Sequence, residues 1–341
     1  VVHKFIPYAC YYDKNTLLTK DGQLLQGLRV KGLSYDTSGG DDSLRDSLVS
    51  RVFKTVPSNQ FSFYLHTIRR RSNFDDKPSF KEPFAQNIHG AWVNSNDWDK
   101  GYVNDLYMTI IHSGISIKVT IVNFIKYFSF GLLQKAHKEL TDFTNVIIKS
   151  LANYTPELLG IEKGPGGSYT SSLLRFFCKI VHLDDVNLPI ATTDISKQMG
   201  EYKVAFGNNA LEVQKDGKKL FASVMSMKEY NPLSKIGINK ILSLPQQMVI
   251  TQTINFVDIK DPKKELEYQR YIFMDVSNSR DLASLCALDQ ICKESPEDNK
   301  NTLFCQSQLT IMALANSLES LDDDVEKIYN TMSGLGIPLV K

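Results

Sequence analysis

Hydrophobic and polar positions alternate with a period of two in several stretches of the chain. "QFSFYLHTIRRR" (residues 60–71) and "YVNDLYMTIIH" (residues 102–112) are rich in β-branched and aromatic residues and predict strands. In the second, Asp105, Tyr107, Thr109 and Ile111 alternate with Leu106, Met108 and Ile110, so both faces carry bulk. That pattern predicts a central strand covered on two sides, with the Tyr107 ring buried. "TLLTKDGQLLQGLRV" and "NALEVQKDGKKLFASVM" each place Asp-Gly between apolar segments, at Asp21-Gly22 and Asp216-Gly217. Both predict hairpins closed by type I′ turns. "EYKVAF" and "QMVITQTINFVD" read as further strands.

Where the period changes to 3.6, helices are predicted. The longest covers about residues 119–153, with Ala136, Leu140, Phe143, Ile147 and Leu151 as its apolar stripe and Lys135, Lys138, Asp142 and Lys149 facing away. Tyr154-Thr155-Pro156 ends it, because proline cannot continue the backbone ladder. Residues 41–53 carry Leu44, Leu48 and Val52 at every fourth position. Further helices are expected near 262–275 and 280–294, and in the tail "SLDDDVEKIYNTMSGLG". Residues 303–315 fit either period.

Antiparallel hairpins interleaved with long helices predict an α+β fold: antiparallel or mixed sheets built from hairpins and packed with long helices, with no P-loop RecA-like domain in this chain. The sequence displays no internal repeat. The glycine-rich "EKGPGGSYTSS" marks the expected boundary between an N-terminal α+β subdomain, residues 1–160, and a second, residues 161–341.

Composition narrows the function classes. The chain has 341 residues, 42% hydrophobic and 23% charged, with a net charge of +1. No gross electrostatic bias points to nucleic acid or an anionic membrane, so only a local cluster could serve either. Five cysteines without a C-x-x-C pair argue against a disulfide framework or zinc site and fit a reduced, cytosolic compartment. The chain opens on Val1, which reads as a fragment of something longer. "ISIKVTIVNFIKYFSFGLL" (residues 115–133) is interrupted by Lys118, Asn123 and Lys126 and is not expected to cross a bilayer.

"KGPGGSYTSSLLRFF" (residues 163–177) has the outline of a phosphate loop, but no lysine follows its glycines until Lys179. A P-loop requires G-x-x-x-x-G-K-[ST]. Gly217-Lys218 is followed by Lys219 and belongs to a hairpin, and in "YIFMDV" Val276 stands where a Walker B acid would be. No nucleotide, metal or catalytic residue is therefore expected. Cys178 and His182 could form a dyad, but a buried cysteine beside a surface histidine is the simpler reading. Two interaction candidates remain. Arg69, Arg70 and Arg71 end a strand and could meet phosphate or an acidic partner, or simply be solvated. Ile121, Phe124, Ile125 and Phe128, beside Lys118 and Lys126, carry apolar bulk on more than one face. They could contact a partner or membrane interface, or lie in the core.

Taken in order, these stretches resemble the amino-terminal half of the type IV secretion ATPases, the CagE/TrbE/VirB family of conjugation and effector-export motors. The resemblance begins in "FIPYACYYDKNTLLTKDGQLLQGLRVKGLSYDT" and continues through "FYLHTIRRR". It is most specific in "YVNDLYMTII", with Asn104, Leu106, Tyr107 and Thr109 matching the family strand. It then passes through Leu151, Tyr154, Pro156 and Leu159, "VITQTINF" and "CQSQLTIMALANSLESLDDDV". The last match makes residues 303–315 a strand. The region "VNLPIATTDISKQMG" matches loosely, and the family's Walker motifs are absent from this chain.

The resemblance implies a non-catalytic docking and oligomerisation domain of a secretion ATPase. Such a domain would be cytoplasmic, peripheral to the bacterial inner membrane, and in contact with other secretion components. A hexamer, and ATP with Mg²⁺ bound in a C-terminal motor domain, come from the resemblance alone. The alternative is a free-standing nucleic-acid-binding module using Arg69–Arg71.

Overall fold

A computed structural model describes residues 2–32, 59–71, 82–95, 101–113, 125–164, 167–182, 185–190, 194–200, 203–215, 218–228, 237–257 and 304–341, with residues 52, 56 and 80 as isolated positions. The helices expected at 41–53, 262–275 and 280–294 lie outside the described residues.

The fold is α+β, as the hairpin pattern predicts. Its strands are β1 (Tyr8–Tyr11), β2 (Thr16–Thr19), β3 (Leu24–Val30), β4 (Phe61–Arg71), β5 (Tyr102–His112), β6 (Pro156–Leu158), β7 (Ile161–Lys163), β8 (Tyr169–Ser171), β9 (Lys203–Phe206), β10 (Leu211–Lys215), β11 (Lys218–Met227), β12 (Gln247–Val257), β13 (Phe304–Ala315) and β14 (Leu339–Val340). The helices are α1 (Pro83–Ser95), α2 (Ile125–Ser150), α3 (Ser172–Val181), α4 (Ile195–Met199), α5 (Gly237–Leu242) and α6 (Leu318–Gly334). Ten strands form one antiparallel path, β1-β2-β3-β5-β4-β12-β13-β11-β10-β9, with β6 added on β3 and β14 on β11. β7 and β8 form a separate hairpin.

This order contains an internal repeat. In the first half the β2–β3 hairpin is followed by β4, then by β5 inserted between β3 and β4, then by α2. In the second half β10–β11 is followed by β12, then by β13 inserted between β11 and β12, then by α6. The halves meet where β4 pairs antiparallel with β12, from Ser62↔Asn255 to Arg69↔Met248. Read outward from this seam, the two halves have the same strand order. The repeat is chiefly one of topology: the Lys-Asp-Gly of the two hairpins recurs, but each strand position requires only an apolar or polar residue on the correct face.

α2 and α6 lie on the same face of the sheet. Ala136, Leu140, Phe143, Ile147 and Leu151, the predicted stripe, are all buried against Leu24, Leu28, Phe61, Phe63, Met108 and Ile110. Leu321, Val325, Ile328 and Met332 do the same against Met248, Ile250, Leu309 and Ile311. α6 starts at Ser317, whose side chain accepts a hydrogen bond from the Ser320 amide. α2 ends in a 3-10 turn, Ala152–Tyr154, after which Thr155 takes a left-handed φ of 46° and Pro156 begins β6.

The opposite face curls around α3. Every strand of the ten-strand path contributes a side chain to this core, from Tyr8 on β1 to Val204 on β9. Phe5 and Phe206, at the two ends of the path, have ring centroids 5.8 Å apart. α3 is apolar on most sides, and Leu173, Leu174, Phe176, Phe177 and Cys178 are all at least 98% buried. Burying five such side chains contributes a gross transfer free energy of about 10 kcal/mol before chain entropy is counted. Its N-cap is Ser171, which accepts from the Leu174 amide at 3.1 Å and also bonds the Tyr11 hydroxyl. Gly27 allows the close approach of α3 to β3, since a Cβ there would lie 2.5 Å from Leu173 Cδ1.

The first hairpin corrects the turn expectation. Gly22 has φ 81°, but Asp21 is not left-handed, and the Gly22 amide donates to the Thr19 carbonyl at 3.1 Å. The connection is a three-residue loop, a type I turn followed by glycine, and not type I′. In the second hairpin Lys215 pairs directly with Lys218, which leaves Asp216-Gly217 as a two-residue connection outside the described residues.

Candidate functional site

The three arginines of "RRR" occupy the end of β4, where Arg71 pairs with Tyr102 at the start of β5. Strand alternation sends Arg69 and Arg71 to the α2/α6 face and Arg70 to the α3 face. Arg69 is 7% exposed. Its Nε donates to the Leu244 carbonyl at 2.7 Å, its Nη1 donates to Asn104 Oδ1 at 3.0 Å, and its guanidinium lies 4.8 Å from the Tyr102 ring centroid. These contacts make Arg69 a bracket between β4, β5 and the segment leading into β12. It is not an exposed partner-binding group. Arg70 is half-exposed and pairs with Asp105 at 2.7 Å, which Arg29 also approaches at 3.5 Å. Arg71 is exposed, on the side of α6 where its charge reaches Asp324.

On the α3 face, Asp185 receives Arg175 in a two-point contact and Lys179 at 3.2 Å. Burial alone would raise the Asp185 carboxyl, but the Arg175 hydrogen bond and the Lys179 charge outweigh it and hold it below the ordinary carboxylate range. Lys31 pairs with Glu157 at 3.4 Å at the same end of the sheet. Arg29, Lys31, Arg70, Arg71, Arg175 and Lys179 thus face Asp105, Glu157, Asp185 and Asp324. The sheet end is cation-rich, although most of its charges are already paired.

The connection that leaves this end at Arg71 and returns at Tyr102 carries α1. Phe84, Ile88 and Trp92 recur every fourth residue on it, preceded by Phe80, and are 76%, 54%, 47% and, for Phe80, 40% exposed. The His89 ring lies between those of Phe80 and Trp92. α1 contains no Asp, Glu, Lys or Arg. The pattern-based assignment omits this helix, although its spacing of four is present in the sequence.

Of the second predicted patch, Ile121 and Phe124 lie outside the described residues. Ile125 and Phe128 fall in the first turns of α2.

The glycine run joins β7 to β8, with the Gly164 amide donating to the Ser168 carbonyl at 2.7 Å. At the start of α3, the Ser172 hydroxyl donates to Glu162 at 2.8 Å. A carboxylate thus occupies the neighbourhood where a phosphate loop would hold an anion. Cys178 and His182 are both buried, at 0% and 3% exposure, which corrects the expectation of a surface histidine. Among the described residues no group of three His, Cys, Asp or Glu side chains is arranged to hold a metal ion, and no helix is long and apolar enough to cross a membrane.

His66 lies buried at the centre of the β4–β12 seam. Its Nδ1 lies 2.9 Å from Thr251 Oγ1, and burial pulls its pKa down to about 4.

The fold and its exposed surfaces define an α+β module in which one curved sheet holds a buried helix and presents a charged end and an apolar helix. Sequence comparison supplies the family. Residues 157–341 match the CagE, TrbE, VirB family, component of type IV transporter system, and residues 15–116 match the N-terminal domain of the type IV secretion system ATPase VirB4/TrbE. The chain belongs to this family. It is 24% identical over 303 residues to the type IV secretion system protein virB4 of Brucella suis, covering 84% of the chain and 36% of that relative. It is 22% identical over 262 residues to virB4 of Bartonella henselae, covering 74% of the chain and 33% of the relative. To the type IV secretion system protein PtlC of Bordetella pertussis it is 21% identical over 351 residues, covering 97% of the chain and 41% of the relative. The chain thus spans roughly two-fifths or less of the length of these relatives.

Proposed function

We propose that this chain is the non-catalytic docking and oligomerisation part of a type IV secretion ATPase, working at the cytoplasmic face of the bacterial inner membrane. The observation that carries this reading is the match of β2 through β5 to the VirB4/TrbE N-terminal domain. Glu162, which accepts from the Ser172 hydroxyl at the start of α3, also supports it. In this reading ATP and Mg²⁺ belong to a motor domain of the kind the relatives' greater length can hold, and contacts with other secretion components and with further copies belong to the surfaces described here. Ile121, Phe124, Ile125 and Phe128 are proposed as one such contact.

Calorimetric titration of the chain with Mg-ATP is expected to give no binding in the micromolar range and no phosphate release. Turnover by this chain would overturn the assignment. The nucleic-acid alternative is disfavoured because Arg69 is buried and Arg70 is paired. Salt-dependent DNA binding by the isolated chain would revive it.

A further inference from the structure

We propose that the helix-bearing face of the sheet is a self-association surface, on which α6 of each copy docks over α2 of a second copy of this chain. The inference rests on the oligomerisation reading above and names its contact. α2 lies over β3 and β5, and α6 over β11 and β13, on one face of the sheet and on either side of the β4–β12 seam. Their outer sides carry opposite charge. On α6 the exposed Glu319, Asp322, Asp323 and Glu326 stand against one exposed cation, Lys327. On α2, among the described residues, the exposed Lys135, Lys138 and Lys149 stand against one exposed acid, Asp142. The remaining acid of each helix is engaged within the chain. Glu139 on α2 contacts His112 at 3.2 Å and Lys135 at 3.8 Å, which leaves Lys135 73% exposed. Asp324 on α6 is half-buried among Gln246, Lys327 and Arg71.

Charge selects the occupant. A face with a basic half beside an acidic half is complementary to a copy of itself turned over by a two-fold axis, since each half then meets its opposite. One encounter makes both α6–α2 contacts and closes the pair. A partner of a single charge would match one helix and be repelled by the other. Apolar side chains stand among these charges and give the contact a centre that excludes water. They are Leu132 and Val146 on α2, 39% and 42% exposed, and Leu318 and Tyr329 on α6, 52% and 46% exposed.

Sedimentation velocity of the 341-residue chain tests this, across the micromolar range and in low and high salt. A dimer is expected that weakens as salt is added, because the charges that form it are exposed. Asp322→Lys with Glu326→Lys, or Lys135→Glu with Lys138→Glu, should each weaken the dimer at least about tenfold by setting like charges face to face. An equimolar mixture of the two double variants should restore it, since each then presents the charge the other lacks. Damage to the fold would not be repaired by mixing. The urea midpoints should stay close to that of the parent, because all four side chains are exposed. A dimer that survives both reversals, or a mixture that stays monomeric, overturns the α6–α2 contact while oligomerisation through another surface stands. An unaltered chain that is monomeric throughout overturns the oligomerisation reading itself.

Discussion

The ring of Tyr107 on β5 stacks on that of Phe176 on α3, with centroids 4.2 Å apart and planes 19° from parallel. Tyr107 is 6% exposed and Phe176 1%. This contact joins the centre of the first half-sheet to the helix that the whole sheet encloses. Tyr107→Ala should therefore cost about 3–5 kcal/mol, as for other large aromatic truncations in cores. Urea unfolding followed by circular dichroism would measure it, and Tyr107→Phe should retain most of the stability. An unchanged midpoint for the alanine variant would contradict the packing described.

The three consecutive arginines should behave differently from one another. Arg69→Ala removes a buried cation with two hydrogen bonds and a ring contact, leaving the Leu244 carbonyl and Asn104 without it. A loss of about 2–4 kcal/mol is expected. Arg71→Glu, at an exposed position, should change stability by no more than about 0.5 kcal/mol. Parallel thermal melts of the two variants would separate a structural arginine from a surface one. Equal effects would refute the division.

His66 should make the fold sensitive to acid. Burial lowers its pKa to about 4 in the folded chain, against the usual value near 6.5 when unfolded. Between those values the unfolded state binds the extra proton, so stability falls as pH drops from 6.5 towards 4 and is unaffected by this group above that window. At pH 5 the loss is about 2 kcal/mol. His112 on β5 is shifted in the same direction by burial, opposed by Glu139. Comparison with His66→Gln, which can still reach Thr251, isolates the His66 part. The variant should lose about 2 kcal/mol less than the parent between pH 7.5 and pH 5.

Much of this architecture was legible in the sequence because local chemistry specifies it. β5 runs from Tyr102 to His112, the bounds its alternation predicts, and the period of α2 identifies all five of its buried stripe residues. α2 stops at Ser150, close to the expected end, and Pro156, which cannot continue a helix, opens β6 beyond the 3-10 turn. Residues 303–315 show the limit of such reading. Their letters fit two periods, and pairing with β12 along the whole strand makes them β13.

The rest was decided by tertiary structure. Position in "RRR" does not distinguish Arg69 from Arg71; the Leu244 carbonyl and the Tyr102 ring, brought in from other strands and loops, bury the first and leave the second in water. His182 reads as a surface residue four places after Cys178, yet it is buried in the folded chain. The topological repeat shows in the letters only at the Lys-Asp-Gly of the two hairpins, because it consists of the order in which strands pair. Local sequence determined most of the strands and helices, through backbone propensity and side-chain period, with β13 and α1 as exceptions. Which faces became core and which charges were withdrawn from solvent depended on contacts between residues far apart in the chain, from 35 positions for Arg69 and Asn104 to 175 for Arg69 and Leu244, and those exist only after the chain has folded.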